Sequence, residues 1–268
     1  MNRLIGKGAI VLGAANAGNM AQVIARRFCD EGATVVVAGR KMDELERFAG
    51  EIGGHAVACD ITDRDAVMAM ATEAKRLLSN VDIAVNGTGW GLLKPFLETT
   101  VEDLEAMTAL QLQGPFYFMQ AMIGVMSTDR GGRGGSIIQI SSATAKIMLN
   151  DHAAYMGTKA GTDHVVRCVA NEFGGVGIRA NSISPGLTDT PMNAEAKEVP
   201  GLFESFRSSY PMGRWGTSED IAAAAVFLAE DECFMTGENL QVNGGLTLRR
   251  NPSQQEIAAS IQAASGAA

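Results

Sequence analysis

The feature that most restricts what this chain can become is an alternation that runs through about 245 of its 268 residues. Short runs at 9–12, 34–38, 56–59, 83–86 and 136–140, mostly apolar, read as strands, and 179–183 and 239–242 supply a sixth and a seventh. Segments with helical character separate them, at 20–31, 42–50, 62–79 and 100–126, through 155–159, and from 218 onward. Such alternation implies an α/β fold: a doubly wound parallel sheet of about seven strands with helices on both faces. Ligands then bind in a crevice at the carboxyl ends of the strands. The length suits one large domain, so residues 1–248 read as that domain and 249–268 as a C-terminal tail. Pro252 can open a short Ala-rich helix in the tail, whose low apolar content permits fraying.

Charge and composition exclude several classes of function. A formal net charge of −8 without any basic block disfavours a nucleic-acid partner. No leader-like apolar stretch opens the chain, and no eighteen apolar residues run together, so neither a signal peptide nor a membrane span is expected. Cys29, Cys59, Cys168 and Cys233 are dispersed, as in reduced thiols of a cytoplasmic protein. His55, His152 and His164 share no metal-ligand spacing with them, and no metal is expected.

The chemistry concentrates in 141–159. Ser142 follows the strand 136–140, and Tyr155 and Lys159 lie four apart on a helix, hence on one face. A nearby ammonium favours phenolate over phenol and is expected to lower the tyrosine pKa from about 10. Tyr155 then becomes a proton donor or acceptor useful near neutral pH, with Ser142 bonding the same substrate oxygen.

A cofactor site is readable at the other end. The turn 13–19, between the first strand and its helix, is small and glycine-containing. Backbone N–H groups there can approach a pyrophosphate at a helix N-terminus; the glycines also suit a plain tight turn. After the second strand, where an acidic residue would bond ribose hydroxyls, stand Arg40 and Lys41. Arg40 can grip a phosphate, which favours NADP(H) over NAD(H), unless both residues belong simply to a solvated face.

Ser142, Tyr155 and Lys159 at this spacing resemble the short-chain dehydrogenase/reductase family, as do Pro185 to Thr190 (P-G-x-x-x-T) and Asn243-Gly244-Gly245 at the end of the last strand. The resemblance spans nearly everything before the tail. It implies a Rossmann-like fold, hydride exchange between a nicotinamide cofactor and a secondary alcohol or ketone, and a homo-oligomer, dimer or tetramer. Tyr155 would pass the proton, Ser142 orient the oxygen, and Lys159 lower the phenol pKa and bond the nicotinamide ribose. Gln111 occupies the place of the family's N-x-x-G asparagine, which supports a proton relay from the lysine.

Cofactor contacts are implied for Gly13, Asn16, Asn19, Met20, Arg40, Asp60, Ile61, Asn86, Gly87, Tyr155, Lys159, Pro185, Gly186, Thr188, Thr190 and Met192. Asp60 would face the adenine unless it is only a turn residue. Asn86 either meets the cofactor or braces the sheet. Residues 192–213 read as a lid over the substrate or as an ordinary surface helix. Trp90, Met148, Leu149, Met192, Phe203 and Phe206 would make an apolar pocket, better suited to a ring or hydrophobic chain than to a sugar.

The turn departs from T-G-x-x-x-G-x-G. Aligned from Gly13 to Ala21 it resembles the G-x-x-x-x-x-S-x-A turn of enoyl-acyl-carrier-protein reductases, with Asn19 for serine. Enoyl reduction is therefore an alternative, although that group spaces tyrosine and lysine more widely. Gln111 prompts another, a catalytically silent NADP(H)-binding regulator.

Overall fold

Every residue of strand β1 (Gly8–Leu12) is buried, as befits a strand covered on both faces. It pairs in parallel with β2 (Thr34–Gly39) on one side and β4 (Ile83–Asn86) on the other. β3 (His55–Ala58) lies outside β2; β5 (Gly135–Ile140) and β6 (Ile178–Pro185) continue beyond β4. A short parallel pair, β7 (Thr188–Asp189) and β8 (Gly216–Thr217), stands apart, and β9 (Asn239–Val242) completes the main sheet. The order β3-β2-β1-β4-β5-β6-β9 reverses direction between β1 and β4, which places the ligand crevice at their carboxyl ends. This is a computed structural model; it describes residues 2–266, with the backbone alone at Met192.

Successive strand residues point to opposite faces, and two apolar layers result. Val11, Val35 and Val37 meet Ile24 and Phe28 of α1 (Met20–Asp30), Leu45 and Phe48 of α2 (Met42–Ile52), and Ile221 and Val226 of α9 (Ser218–Ala229). Ile10, Leu12 and Val36 face the other way. They meet Val67 and Met70 of α3 (Arg64–Leu78), Phe118 and Met122 of α5 (Gly114–Met126), and Val166 of α6 (Ala153–Phe173). The doubly wound sheet of seven strands is as the alternation predicts.

Two helix boundaries differ from expectation. The helix expected from 62 starts at Arg64: Asp63 caps α3, accepting the N–H groups of Asp65 and Ala66, while Thr62 is engaged with Asp60. The single helix expected over 100–126 is α4 (Val101–Thr108), opened by the Thr100/Asp103 capping box, then a π-helical turn (Ala109–Gln113), then α5. Pro115 explains the break: it has no N–H to give the Gln111 carbonyl four residues back, and its ring crowds that oxygen.

After β7 come α7 (Ala194–Glu198) and α8 (Leu202–Arg207), and the tail forms α10 (Gln254–Gly266), packed on α8. Its start is closed by reciprocal Ser253 and Glu256 bonds. Among the described residues no helix is long and apolar enough to cross a membrane.

Candidate active site

The carboxyl ends of β1 and β4 press together closely enough to demand glycine. Gly13 has φ +106°, and a Cβ there would lie 2.8 Å from the Gly87 carbonyl carbon. The turn that follows is tied down by two amides. Asn19, the N-cap of α1, accepts the Gln22 N–H (3.0 Å) and donates to the Gly13 carbonyl (2.7 Å). Gln22 accepts the Gly18 N–H and donates to the Ala14 carbonyl, both at 2.9 Å, and also to Glu44. Sequence reasoning missed Gln22, which reads as an ordinary helix residue. Met20 opens α1, so the positive end of the helix faces this turn.

Basic groups gather beside it. Lys41 Nζ donates to Asn16 Oδ1 at 2.8 Å, and Arg40 is exposed at the end of β2. Asp60 accepts the Thr62 N–H and hydroxyl. That N–H above all, with help from the Arg40 charge, holds its carboxyl below the usual range. Ile61 is buried next to it. Asn86 is buried: its amide donates to Gln139 Oε1 at 2.9 Å and its oxygen accepts both the N–H and hydroxyl of Thr88. These bonds brace β4 against β5.

At the end of β6, Pro185 is buried, and Gly186 leaves room for Tyr210, whose hydroxyl oxygen would lie 2.4 Å from a Cβ. That oxygen accepts the Leu187 N–H at 2.6 Å. Thr188 is buried and bonds the Gly186 carbonyl, while Thr190 is half-buried.

Ser142, Tyr155 and Lys159 come together where β5 ends. Ser142 Oγ lies 2.9 Å from Thr144 Oγ1 and beside the Tyr155 phenol. Lys159, 4 % exposed, donates to the Ile140 carbonyl at 2.9 Å, with Nζ 5.7 Å from the Tyr155 ring centre. The electrostatics correct one expectation. Burial holds the phenol above its ordinary pKa, the Ser142 hydroxyl pulling it down and the Asp163 charge pushing it up. Burial likewise draws the Lys159 ammonium down to about 8, against the opposing pull of Asp163. Desolvation penalises both charged forms, so the net shift of the phenol is upward rather than the expected lowering.

His152, three residues before Tyr155, was not anticipated. Its ring stacks on the phenol ring at 4.3 Å and its Nδ1 contacts the Leu92 carbonyl at 2.6 Å. Burial lowers its pKa, against the opposing pull of the Leu92 carbonyl, and so favours the neutral ring.

Gln111 reaches the same place from the π-helical turn. Its amide donates to the Trp90 carbonyl and Met107 sulfur, and the Thr162 hydroxyl takes the backbone carbonyl that Pro115 leaves free. The Gln111 side-chain oxygen is buried without a partner. A Cβ on Gly89 would lie 3.4 Å from that oxygen and 3.6 Å from Lys159 Nζ, so both line one small space.

The expected pocket residues divide. Trp90 and Met148 are exposed and Leu149 half-buried. Phe203 and Phe206 instead turn inward. Phe203 packs edge-on against Trp215 (5.2 Å), and Phe206 joins Ala143, Tyr210 and Leu246. The Met192 side chain lies outside the described residues.

Known proteins resemble the chain throughout. A family model described as Enoyl-(Acyl carrier protein) reductase matches residues 13–247. D-threitol dehydrogenase of Mycolicibacterium smegmatis is 34 % identical over 253 residues, covering 92 % of this chain and 95 % of that one. 3beta-hydroxysteroid dehydrogenase 1 of Eggerthella lenta is also 34 % identical, over 252 residues, covering 91 % and 95 %. A solved short-chain type dehydrogenase/reductase from Mycobacterium ulcerans superposes with a TM-score of 0.88 at 27 % identity, covering 97 % of this chain and 98 % of that one.

Proposed function

The chain belongs to the short-chain dehydrogenase/reductase family and is an oxidoreductase of the alcohol–carbonyl couple, and we propose that it uses NADP(H) on a hydrophobic or cyclic secondary alcohol or its ketone. The observation that carries this reading is the convergence of Ser142, Tyr155 and Lys159 at the end of β5, beside the β1/β4 crevice. The residues of the crevice fit a dinucleotide: Gly13 and Gly87 leave no room for a Cβ between the two turns, and the N-terminus of α1 faces them.

Gly13, Asn16, Asn19, Met20 and Gly87 would hold the pyrophosphate side, and Arg40 the 2′-phosphate. Asp60 and Ile61 would meet the adenine. Pro185, Gly186, Thr188, Thr190 and Met192 would meet the nicotinamide end. Asn86 acts by bracing these turns. The bound cofactor gives or takes the hydride.

In reduction Tyr155 donates its phenol proton to the carbonyl oxygen, to which Ser142 also donates a hydrogen bond. A phenol held above its ordinary pKa is fully protonated at neutral pH, which suits this direction. Lys159 stabilises the phenolate left behind. A water bridging the free oxygen of Gln111 and Lys159 would return the proton. Trp90, Met148 and Leu149 offer an apolar wall to the substrate; Phe203 and Phe206 support it from beneath. The four free cysteines suit the cytoplasm. Val101, Leu104 and Phe116, exposed on α4 and α5, suit a homo-oligomer, dimer or tetramer.

Cofactor consumption with a panel of cyclic and aromatic ketones tests the reading. NADPH is expected to be bound and used in preference to NADH, and Arg40→Asp to reverse that preference by about tenfold or more, the worth of one charge-assisted phosphate contact. Tighter binding of NADH by the unaltered protein contradicts the NADP(H) assignment. Activity confined to enones favours enoyl reduction; binding without turnover favours a regulator.

A further inference from the structure

The tail 249–266, which no part of the reading above uses, bonds both the loop before Tyr155 and the ends of α8. Asn251, 6 % exposed, donates through its side chain to the Met148 carbonyl at 3.1 Å. The Gln254 amide bonds the Asp151 carboxylate. These two carbonyl and carboxylate partners belong to the loop 148–151 that leads into His152 and Tyr155.

That loop needs holding. Asp151 has φ +60°, a left-handed conformation uncommon outside glycine, asparagine and aspartate, and contacts on both sides fix it. From the other side, Lys94 N–H donates to the Asp151 carbonyl at 2.6 Å. The loop is therefore clamped between residue 94 and the tail.

The tail's second hold is on α8. Ser260 Oγ donates to the Gly201 carbonyl at 2.7 Å, and Gly201 sits so near the Ser260 backbone that a Cβ would come within 2.4 Å of its carbonyl oxygen. Arg249 donates to the Ser208 carbonyl at 2.7 Å. Between the two holds, Ile257 packs against the apolar group of Ala143, Phe206, Tyr210 and Leu246 together with Leu149. Ala143 is the neighbour of Ser142. The tail thus joins the loop beside the phenol to the helix that carries Phe206, and its own helix is locked in place by the Ser253/Glu256 bonds and the Arg250–Glu256 ion pair.

Resting on the oxidoreductase reading, we infer that Asn251 and Ile257 are positioning residues that fix the loop 148–151 against α8 and so set which substrates fit the crevice. Neither touches the reacting atoms. Their loss widens the crevice without disarming the chemistry, so it changes substrate affinity and leaves hydride transfer and cofactor binding alone.

The test is a kinetic comparison of Asn251→Ala and Ile257→Ala with the unaltered enzyme, using cyclohexanone and acetophenone with NADPH. In each variant the Michaelis constant for at least one ketone should change about fivefold or more, the effect of one lost contact of roughly 1 kcal/mol. The turnover number and the NADPH dissociation constant should stay within twofold. Michaelis constants within twofold for both ketones in either variant overturn the inference, as does a fall in turnover number with unchanged Michaelis constants. If the unaltered protein reduces neither ketone, the proposed hydrophobic or cyclic substrate class loses its support, and hydrogen exchange decides the inference separately. The Lys94 amide, bonded to Asp151, should then exchange about tenfold faster in Asn251→Ala; an unchanged rate overturns the role of the tail.

Discussion

Tyr155→Phe should lower the turnover number by about 10²–10⁴-fold, the range set by loss of a positioned proton donor, and leave NADPH affinity within about twofold. The substitution removes one oxygen from a half-buried ring that keeps its stacking on His152, so the fold has no reason to change. The expected signature is a loss in turnover number and in kcat/KM together, as for an interaction made in the transition state. Single-turnover reduction followed at the NADPH absorbance measures it. A Tyr155→Phe enzyme that retains a tenth or more of the activity would refute the assignment of the phenol as acid.

Lys159→Met should also abolish most turnover, by about 10²-fold or more, and yet not lower the melting temperature of the cofactor-free protein. The ammonium is fully buried, and its pKa is drawn from 10.5 to about 8. A lysine with a folded-state pKa below its unfolded value costs stability. The cost is present in full below pH 8 and disappears as the pH rises from about 8 toward 10.5, because the unfolded chain holds the extra proton over that interval. At neutral pH it amounts to about 3 kcal/mol. Methionine removes it and leaves the Ile140 carbonyl without its donor, a loss of about 1–3 kcal/mol, so the two changes offset. The same pKa sets a pH dependence: reductive kcat/KM should fall as the pH rises through about 8, where the charge that stabilises the phenolate is lost. A calorimetric melt and a pH–rate profile check the two halves. A strongly destabilised Lys159→Met protein, or reduction that stays level well above pH 8, contradicts this electrostatic description.

The sheet was legible in the sequence because β1, β2, β4 and β5 are buried almost throughout and so appear as short, mostly apolar runs. The meeting of Ser142 with Tyr155 was legible for a similar reason, since a strand end followed by a helix of fixed pitch leaves few arrangements. Pitch says nothing about water, however. Spacing places an ammonium near a phenol, but it does not reveal that both are desolvated, and this is why the expected acidification of Tyr155 is absent. The π-helical turn had its sign in Pro115, four residues beyond Gln111, which went unread inside a long helical pattern. Phe203 and Phe206 lie on a helix of six residues, too short for periodicity to tell the buried side from the exposed one. The contacts of Asn251 with Met148 and Gln254 with Asp151 join positions more than a hundred residues apart. No local pattern carries such pairings.

The most direct measurement is the fate of a label. NADPH deuterated at the transferred position of the nicotinamide is incubated with the unaltered enzyme and the ketone of the panel that it reduces fastest, and the product is read by mass spectrometry. The expected product is a secondary alcohol heavier by one mass unit, with deuterium on the carbinol carbon, and its formation should vanish in Tyr155→Phe. Unlabelled alcohol, or labelled alcohol formed equally well without the phenol, would contradict the claim that these three side chains supply the proton to the one carbonyl that takes hydride from the cofactor.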